Sequence, residues 1–140
     1  MTSVKPHLLL VEDNPADADL VEEALAEAHL EYGISVVRDG AQAIQFIDRV
    51  DADPSHCSPD LVLLDLNLPK VSGEEVLSRV RLSPRCGTAK VLIISSSDAP
   101  ADRERTMQLG ASGYFRKPSR LDQFLELGPK IRSMLEGPPG

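Results

Sequence analysis

The stretch Leu61-Val62-Leu63-Leu64-Asp65-Leu66-Asn67-Leu68-Pro69 decides the fold. Four apolar residues in succession predict a short strand buried on both faces, the kind found inside parallel sheets. The run stops on a carboxylate, and Pro69 can neither extend a strand nor stand in mid-helix. In an open α/β sheet, ligands and chemistry sit outside the carboxyl ends of the strands. Asp65 therefore stands where a functional acid would be.

Working outward, the same grammar repeats. His7-Leu8-Leu9-Leu10-Val11 is a second apolar run, ending on Glu12-Asp13. Asn14 can cap a helix, Pro15 suits its first position and Asp17 complements the positive end of its dipole. Ala18, Val21, Leu25 and Ala28 then recur at helical spacing. Ile34–Val37 is a β-branched strand, and Asp39-Gly40 turns into a helix with Ala43, Ile44 and Ile47 on one face. The segment from Val50 to Asp60 is rich in turn formers and reads as a long surface loop. After the opening strand, Ser72 with Glu75 fits a capping box for a helix bearing Val76, Leu77 and Val80.

Val91–Ile94 is a further buried strand, ending on Ser95. Pro100 through Leu109 predicts a helix with a thin apolar stripe, which Gly110 would end. Gly113–Arg116 is a short fifth strand ending on Lys117-Pro118. Ser119 with Asp122 matches a capping box for a last helix with Leu121, Phe124, Leu125, Ile131 and Leu135 inward. Pro129 removes a bond to the carbonyl of Leu125, so a kink or break is expected at Gly128-Pro129. Strands and helices alternate, five of each, which predicts a doubly wound parallel α/β sheet. The most apolar strands, first, third and fourth, belong in its centre. The implied order is 2-1-3-4-5, a flavodoxin-like (βα)5 fold. It would occupy residues 5–136, with a disordered Gly-Pro-Pro-Gly tail at 137–140.

At 140 residues the chain suits one domain, and its 41% hydrophobic content is ordinary. A net charge of −7 argues against non-specific nucleic-acid binding. No apolar run approaches the roughly 18 residues of a membrane span, and the N-terminus lacks a signal-peptide core. A cytoplasmic protein is expected, with Cys57 and Cys86 as free thiols.

In this fold the strand ends would bring Glu12, Asp13, Asp65, Ser95 and Lys117 to one edge. Crowded acids repel unless a cation is present, and an all-oxygen site suits Mg²⁺. A carboxylate can also attack phosphorus to give an aspartyl phosphate, with a lysine and a hydroxyl binding the remaining charge. Each residue alone has a plainer explanation: strand-end acids cap helices, a lone lysine is usually solvated, and a serine after a strand is usually turn chemistry. Their joint arrival at four strand ends favours phosphoryl transfer onto one aspartate.

Glu12-Asp13, Asp65 in Leu-Leu-Asp-Leu-Asn-Leu-Pro, Gly73, Ser95 and Lys117-Pro118 together resemble the response-regulator receiver domain over nearly the whole chain. The resemblance implies that Asp65 accepts phosphate from a sensor histidine kinase. It implies Mg²⁺ held by Glu12 (through water), Asp13, Asp65 and the backbone carbonyl of Asn67. Ser95 would turn toward the phosphoryl group, Lys117 would pair with it, and Tyr114 would be the switch aromatic that follows Ser95 inward. The family's Lys-Pro bond is cis, so a cis Lys117–Pro118 bond is expected. Val71 stands where the family more often has methionine. Such a protein is not a classical enzyme, although it assists its own phosphorylation and dephosphorylation.

The Asp-Asn-Pro-Ala-Asp start, the long loop before the third strand and the Ser-Ser-Asp stretch look like single-domain regulators of phytochrome-type kinases. With no further domain expected after residue 136, the output would be an unknown downstream protein. That partner would read the surface of the fourth helix, fifth strand and last helix. A homodimer through the same surface is possible, with Gly128-Pro129 lying in it. Three other classes compete. A flavin- or nucleotide-binding module would need a phosphate-cradling loop where Glu12-Asp13 stands. An aspartyl-phosphate hydrolase would need a general acid near Asp65, where Asn67 cannot serve. An unphosphorylated scaffold would not need the acid, hydroxyl and lysine set.

Overall fold

The apolar runs form the strands of one parallel sheet in the computed structural model, which describes residues 5–136. The tail at 137–140 lies outside the described residues. Strands β1 (His7–Val11), β2 (Gly33–Val37), β3 (Leu61–Asp65), β4 (Lys90–Ser95) and β5 (Gly113–Arg116) lie in the order β2-β1-β3-β4-β5. The most apolar strands are central, and all five residues of β3 are buried.

Period-two alternation divides the core. Leu9, Val11, Val62, Leu64, Val91 and Ile93 face α2 (Gly40–Ala52) and α3 (Gly73–Leu82). Leu8, Leu10, Leu61, Leu63, Leu92 and Ile94 face α1 (Pro15–Glu27), α5 (Leu121–Phe124) and α6 (Leu127–Glu136). Phe46, which the sequence pattern did not single out, joins Ala43 and Ile47 under α2. Between β4 and β5, α4 (Pro100–Gln108) buries only Thr106, in keeping with its thin stripe.

Helix starts follow the local chemistry. Asn14 Oδ1 accepts from the N–H groups of Ala16 (2.9 Å) and Asp17 (3.3 Å), and Pro15 is the first residue of α1. Asp39 accepts from Gln42 N–H at 2.7 Å and Ser72 from Glu75 N–H at 3.2 Å. The loop after α2 is pinned, because the Arg85 guanidinium donates to the carbonyls of Val50, Asp53 and His56. Both cysteines are free thiols, Cys57 exposed and Cys86 buried.

The C-terminal segment departs from expectation in three respects. The Ser119/Asp122 capping box does not form: Arg120 occupies the cap without a side-chain cap bond, and Asp122 pairs with Arg120 instead. Leu121 is 49% exposed rather than inward. The expected long helix breaks earlier than Gly128-Pro129, after the single turn of α5. The carbonyl of Leu125 is taken by Gly128 N–H at 3.2 Å. Pro129 therefore falls in the first turn of α6, where a missing N–H has no intrahelical partner to lose. Gly128 lets α6 approach α1, since a Cβ there would lie 2.4 Å from the carbonyl oxygen of Ala24.

Candidate functional site

Ladder bonds run one residue past the strands and fix the edge. Glu12 N–H donates to the Val37 carbonyl at 3.0 Å, and Lys117 N–H to the Ser95 carbonyl at 2.7 Å. Glu12 and Lys117 thus continue β1 and β5 at the end of the sheet where Asp65 closes β3. Asp65 is 5% exposed and Glu12 2%, whereas Asp13 faces solvent.

The Lys117 ammonium is the centre of the cluster. Nζ lies 2.7 Å from Glu12 Oε1, 2.9 Å from Asp17 Oδ2 and 3.1 Å from Asp65 Oδ2. The other Asp65 oxygen, Oδ1, accepts from Asn67 N–H at 3.0 Å, and Glu12 Oε2 accepts from Asn14 N–H at 3.2 Å. Burial pushes the Glu12 carboxyl up to about 7; the Lys117 bond opposes the rise and the Asp65 carboxylate adds to it. Burial works against the Lys117 ammonium, but the bonds to Glu12 and Asp17 and the charges of Asp65 and Glu12 outweigh it and raise its pKa.

Carboxylate oxygens of Glu12, Asp13 and Asp65 lie within 4.8 Å of one another. Every donor in that trio is a hard oxygen, two are buried, and among the described residues one ammonium, Lys117, pairs with them. The set fits a hard divalent cation such as Mg²⁺.

The remaining sequence-derived residues fall close by. Ser95 is fully buried and its Oγ accepts from Ser97 N–H at 3.1 Å, folding the β4–α4 loop over the strand end. Ser97 Oγ in turn bonds Asp102 Oδ2 at 2.5 Å. Asn67 is exposed just beyond β3, its N–H held by Asp65. Behind it Gly73 permits close packing, because a Cβ there would sit 2.5 Å from the Asp65 carbonyl oxygen.

Two expectations need correction. No peptide bond among the described residues is cis, so Lys117–Pro118 is trans. That expectation came from the resemblance and has no local cause in this sequence. Tyr114 is already inward, 9% exposed. Its hydroxyl donates to the Ser97 carbonyl at 2.9 Å, and the Arg103 guanidinium covers its ring at 4.6 Å. An inward swing of Tyr114 is therefore not available from this arrangement.

Asp17 escaped the sequence reading as a site residue. It was legible as a first-turn acid of α1, but nothing in the local pattern connects it to Lys117.

With this geometry in hand, comparison with known proteins gives a consistent result. The response regulator receiver domain family matches residues 8–127. Response regulator Rcp1 of Synechocystis sp. is 32% identical over 126 residues, covering 90% of this chain and 86% of Rcp1. The crystal structure of the phosphorylated cyanobacterial phytochrome response regulator RcpA superposes with a TM-score of 0.82 at 33% identity, covering 92% of each chain. The Mn²⁺-bound form of Rcp1 superposes with a TM-score of 0.80 at 31% identity, covering 91% of each chain. A magnesium-bound receiver domain of the sensor histidine kinase PA1611 from Pseudomonas aeruginosa gives 0.75 at 25% identity, covering 96% of this chain and all of that one (100%). The chain belongs to the response-regulator receiver family and is a two-component signalling protein.

Proposed function

We propose that this protein is a phosphorylation switch in which Asp65 accepts a phosphoryl group from the phosphohistidine of a sensor kinase. One observation carries the reading: the partly buried ammonium of Lys117 held on the buried carboxylate of Asp65 at the carboxyl edge of the sheet. Attack by an Asp65 oxygen forms the new P–O bond as the donor P–N bond breaks, and the electron pair leaves on the imidazole nitrogen. The Asn67 N–H on Oδ1 and the Lys117 ammonium on Oδ2 together orient the carboxylate. Lys117 then exchanges its bond to Oδ2 for one to a phosphoryl oxygen.

Mg²⁺ bound by Glu12, Asp13, Asp65 and the Asn67 carbonyl would neutralise charge developing on the phosphoryl oxygens. Glu12, the most buried of the three acids, would act through water. Ser95 Oγ leaves the Ser97 N–H and donates to the phosphoryl group, drawing the β4–α4 loop with it. Tyr114 is tied to that loop by the Ser97 carbonyl and to α4 by Arg103. Loop movement therefore reaches the face of α4, β5 and the α5–α6 segment, the surface offered to a downstream partner. The likeness to the cyanobacterial phytochrome response regulator RcpA supports a phytochrome-type kinase as donor.

Incubation with acetyl phosphate and Mg²⁺, followed by intact mass, tests the assignment. The native protein gains one phosphoryl group and Asp65→Asn gains none; equal uptake by the variant would sink the reading.

A further inference from the structure

Asp17 lies outside the trio of carboxylates that fits a divalent cation and is not the reacting group, yet it takes one of the three hydrogen bonds of Lys117. An ammonium has three N–H donors, and here all three are taken, by Glu12, Asp17 and Asp65. Two of those acceptors change role in the proposed reaction. Asp65 becomes the phosphorylated group, and Glu12 belongs to the cation-binding trio. Asp17 alone has no second role. It projects from the first turn of α1, a turn fixed by Pro15 and by the Asn14 cap. Its carboxylate is 26% exposed, and it grips a lysine that is 13% exposed.

We propose that Asp17 is a positioning residue: it holds the Lys117 ammonium in place while Asp65 and Glu12 turn to the phosphoryl group and the cation. This role rests on the reading of Asp65 as phosphoacceptor. A lysine stem has several rotatable bonds, and an anchored ammonium has already lost that freedom before the phosphoryl group arrives. Once Asp17 is neutralised, Lys117 keeps two acceptors that the reaction itself withdraws, and it then samples rotamers in which no donor faces the phosphoryl oxygens.

The test has two readouts. The first is the ¹⁵N-resolved ammonium signal of Lys117 in metal-free protein, with proton exchange measured against solvent. The native signal is expected to be protected, and Asp17→Asn is expected to speed its exchange about tenfold, the scale of one lost charge-assisted hydrogen bond. The second is phosphoryl uptake from acetyl phosphate in Mg²⁺. Asp17→Asn should lower the rate at saturating donor by about tenfold and leave the half-saturating donor concentration unchanged, as expected when orientation rather than binding is lost. Amide spectra of Asp17→Asn and of a second variant, Asp17→Ser, report whether the fold is intact, and both variants should behave alike.

Native uptake with variants that match it in rate overturns the positioning role alone, whatever the ammonium exchange. A protected ammonium in both variants also overturns it. A native protein that takes up no phosphoryl group overturns the phosphoacceptor reading, and with it any part for Asp17 in the reaction.

Discussion

At the scale of single residues the site is an electrostatic compromise. Glu12 is buried, and its carboxyl is pushed up to about 7 from an ordinary value of 4.5. The folded state therefore holds a proton on Glu12 in a pH range where the unfolded chain has released it. For a group whose folded pKa is raised, the stabilising contribution is complete below 4.5 and is lost as pH rises through about 7. Lys117 is raised as well; its contribution persists throughout this window and is lost only at strongly alkaline pH. Metal-free protein is thus expected to lose stability between pH 5 and pH 8, and Glu12→Gln is expected to flatten that slope. Urea unfolding at a series of pH values checks this, and an unchanged slope in the variant would exclude Glu12 as its source. Glu12 and Asp65 were legible because each ends an apolar run, and Lys117 because it ends the fifth predicted strand. Asp17 was not, since the lysine it bonds is 100 residues away. Tyr114 was identified by position, but its inward rotamer depends on Ser97 and Arg103, which no strand pattern specifies.

At the scale of elements, helix starts and strand runs were readable because caps and periodicity are local. Four of the strand ends are legible in the sequence, and the sheet order follows from the apolarity of the strands. The last helix was misread because its break depends on packing between helices. Gly128 and Pro129 look alike in sequence as helix breakers, yet they do different work. Gly128 faces the Ala24 carbonyl oxygen, which a Cβ would approach to 2.4 Å, whereas Pro129 is exposed in the first turn of α6. Gly128→Ala should therefore destabilise the fold by about 1–3 kcal/mol through overpacking. Pro129→Ala should change stability by less than about 1 kcal/mol, since only unfolded-state freedom is altered. Chemical denaturation of the two variants separates the roles, and equal losses would mean the break is set by the proline after all. The thin packing of α4, with Thr106 its only buried residue, predicts a second contrast: its amides should exchange faster than those of α2 and α3. Comparable protection would remove α4 as the compliant element through which loop movement reaches the surface.

At the scale of the molecule, these local compromises couple cation binding to global stability. The chain carries a net charge of −7, and the carboxylates of Glu12, Asp13 and Asp65 gather at the carboxyl end of the sheet. Folding gathers Glu12, Asp13 and Asp65, which the unfolded chain keeps apart, so a divalent cation bound by the trio favours the folded state by mass action. At a free Mg²⁺ concentration ten times its dissociation constant, the gain is about 1.4 kcal/mol, which for a domain of this size corresponds to a rise of roughly 3–6 °C in Tm. The effect should be larger at pH 8 than at pH 5, because a protonated Glu12 is a poorer ligand and contributes less repulsion to relieve. Sodium chloride at matched ionic strength should give a much smaller rise, since screening acts on all surface charges and not on one site. Asp13→Asn removes the exposed member of the trio without disturbing the Lys117 contacts, so it should abolish the magnesium-specific rise and leave the salt response intact. Thermal unfolding of native protein and Asp13→Asn in the two salts measures the difference directly. A rise that survives Asp13→Asn, or that sodium chloride reproduces, would place the stabilising cation elsewhere on the acidic surface and leave the carboxylate trio neutralised by Lys117 alone.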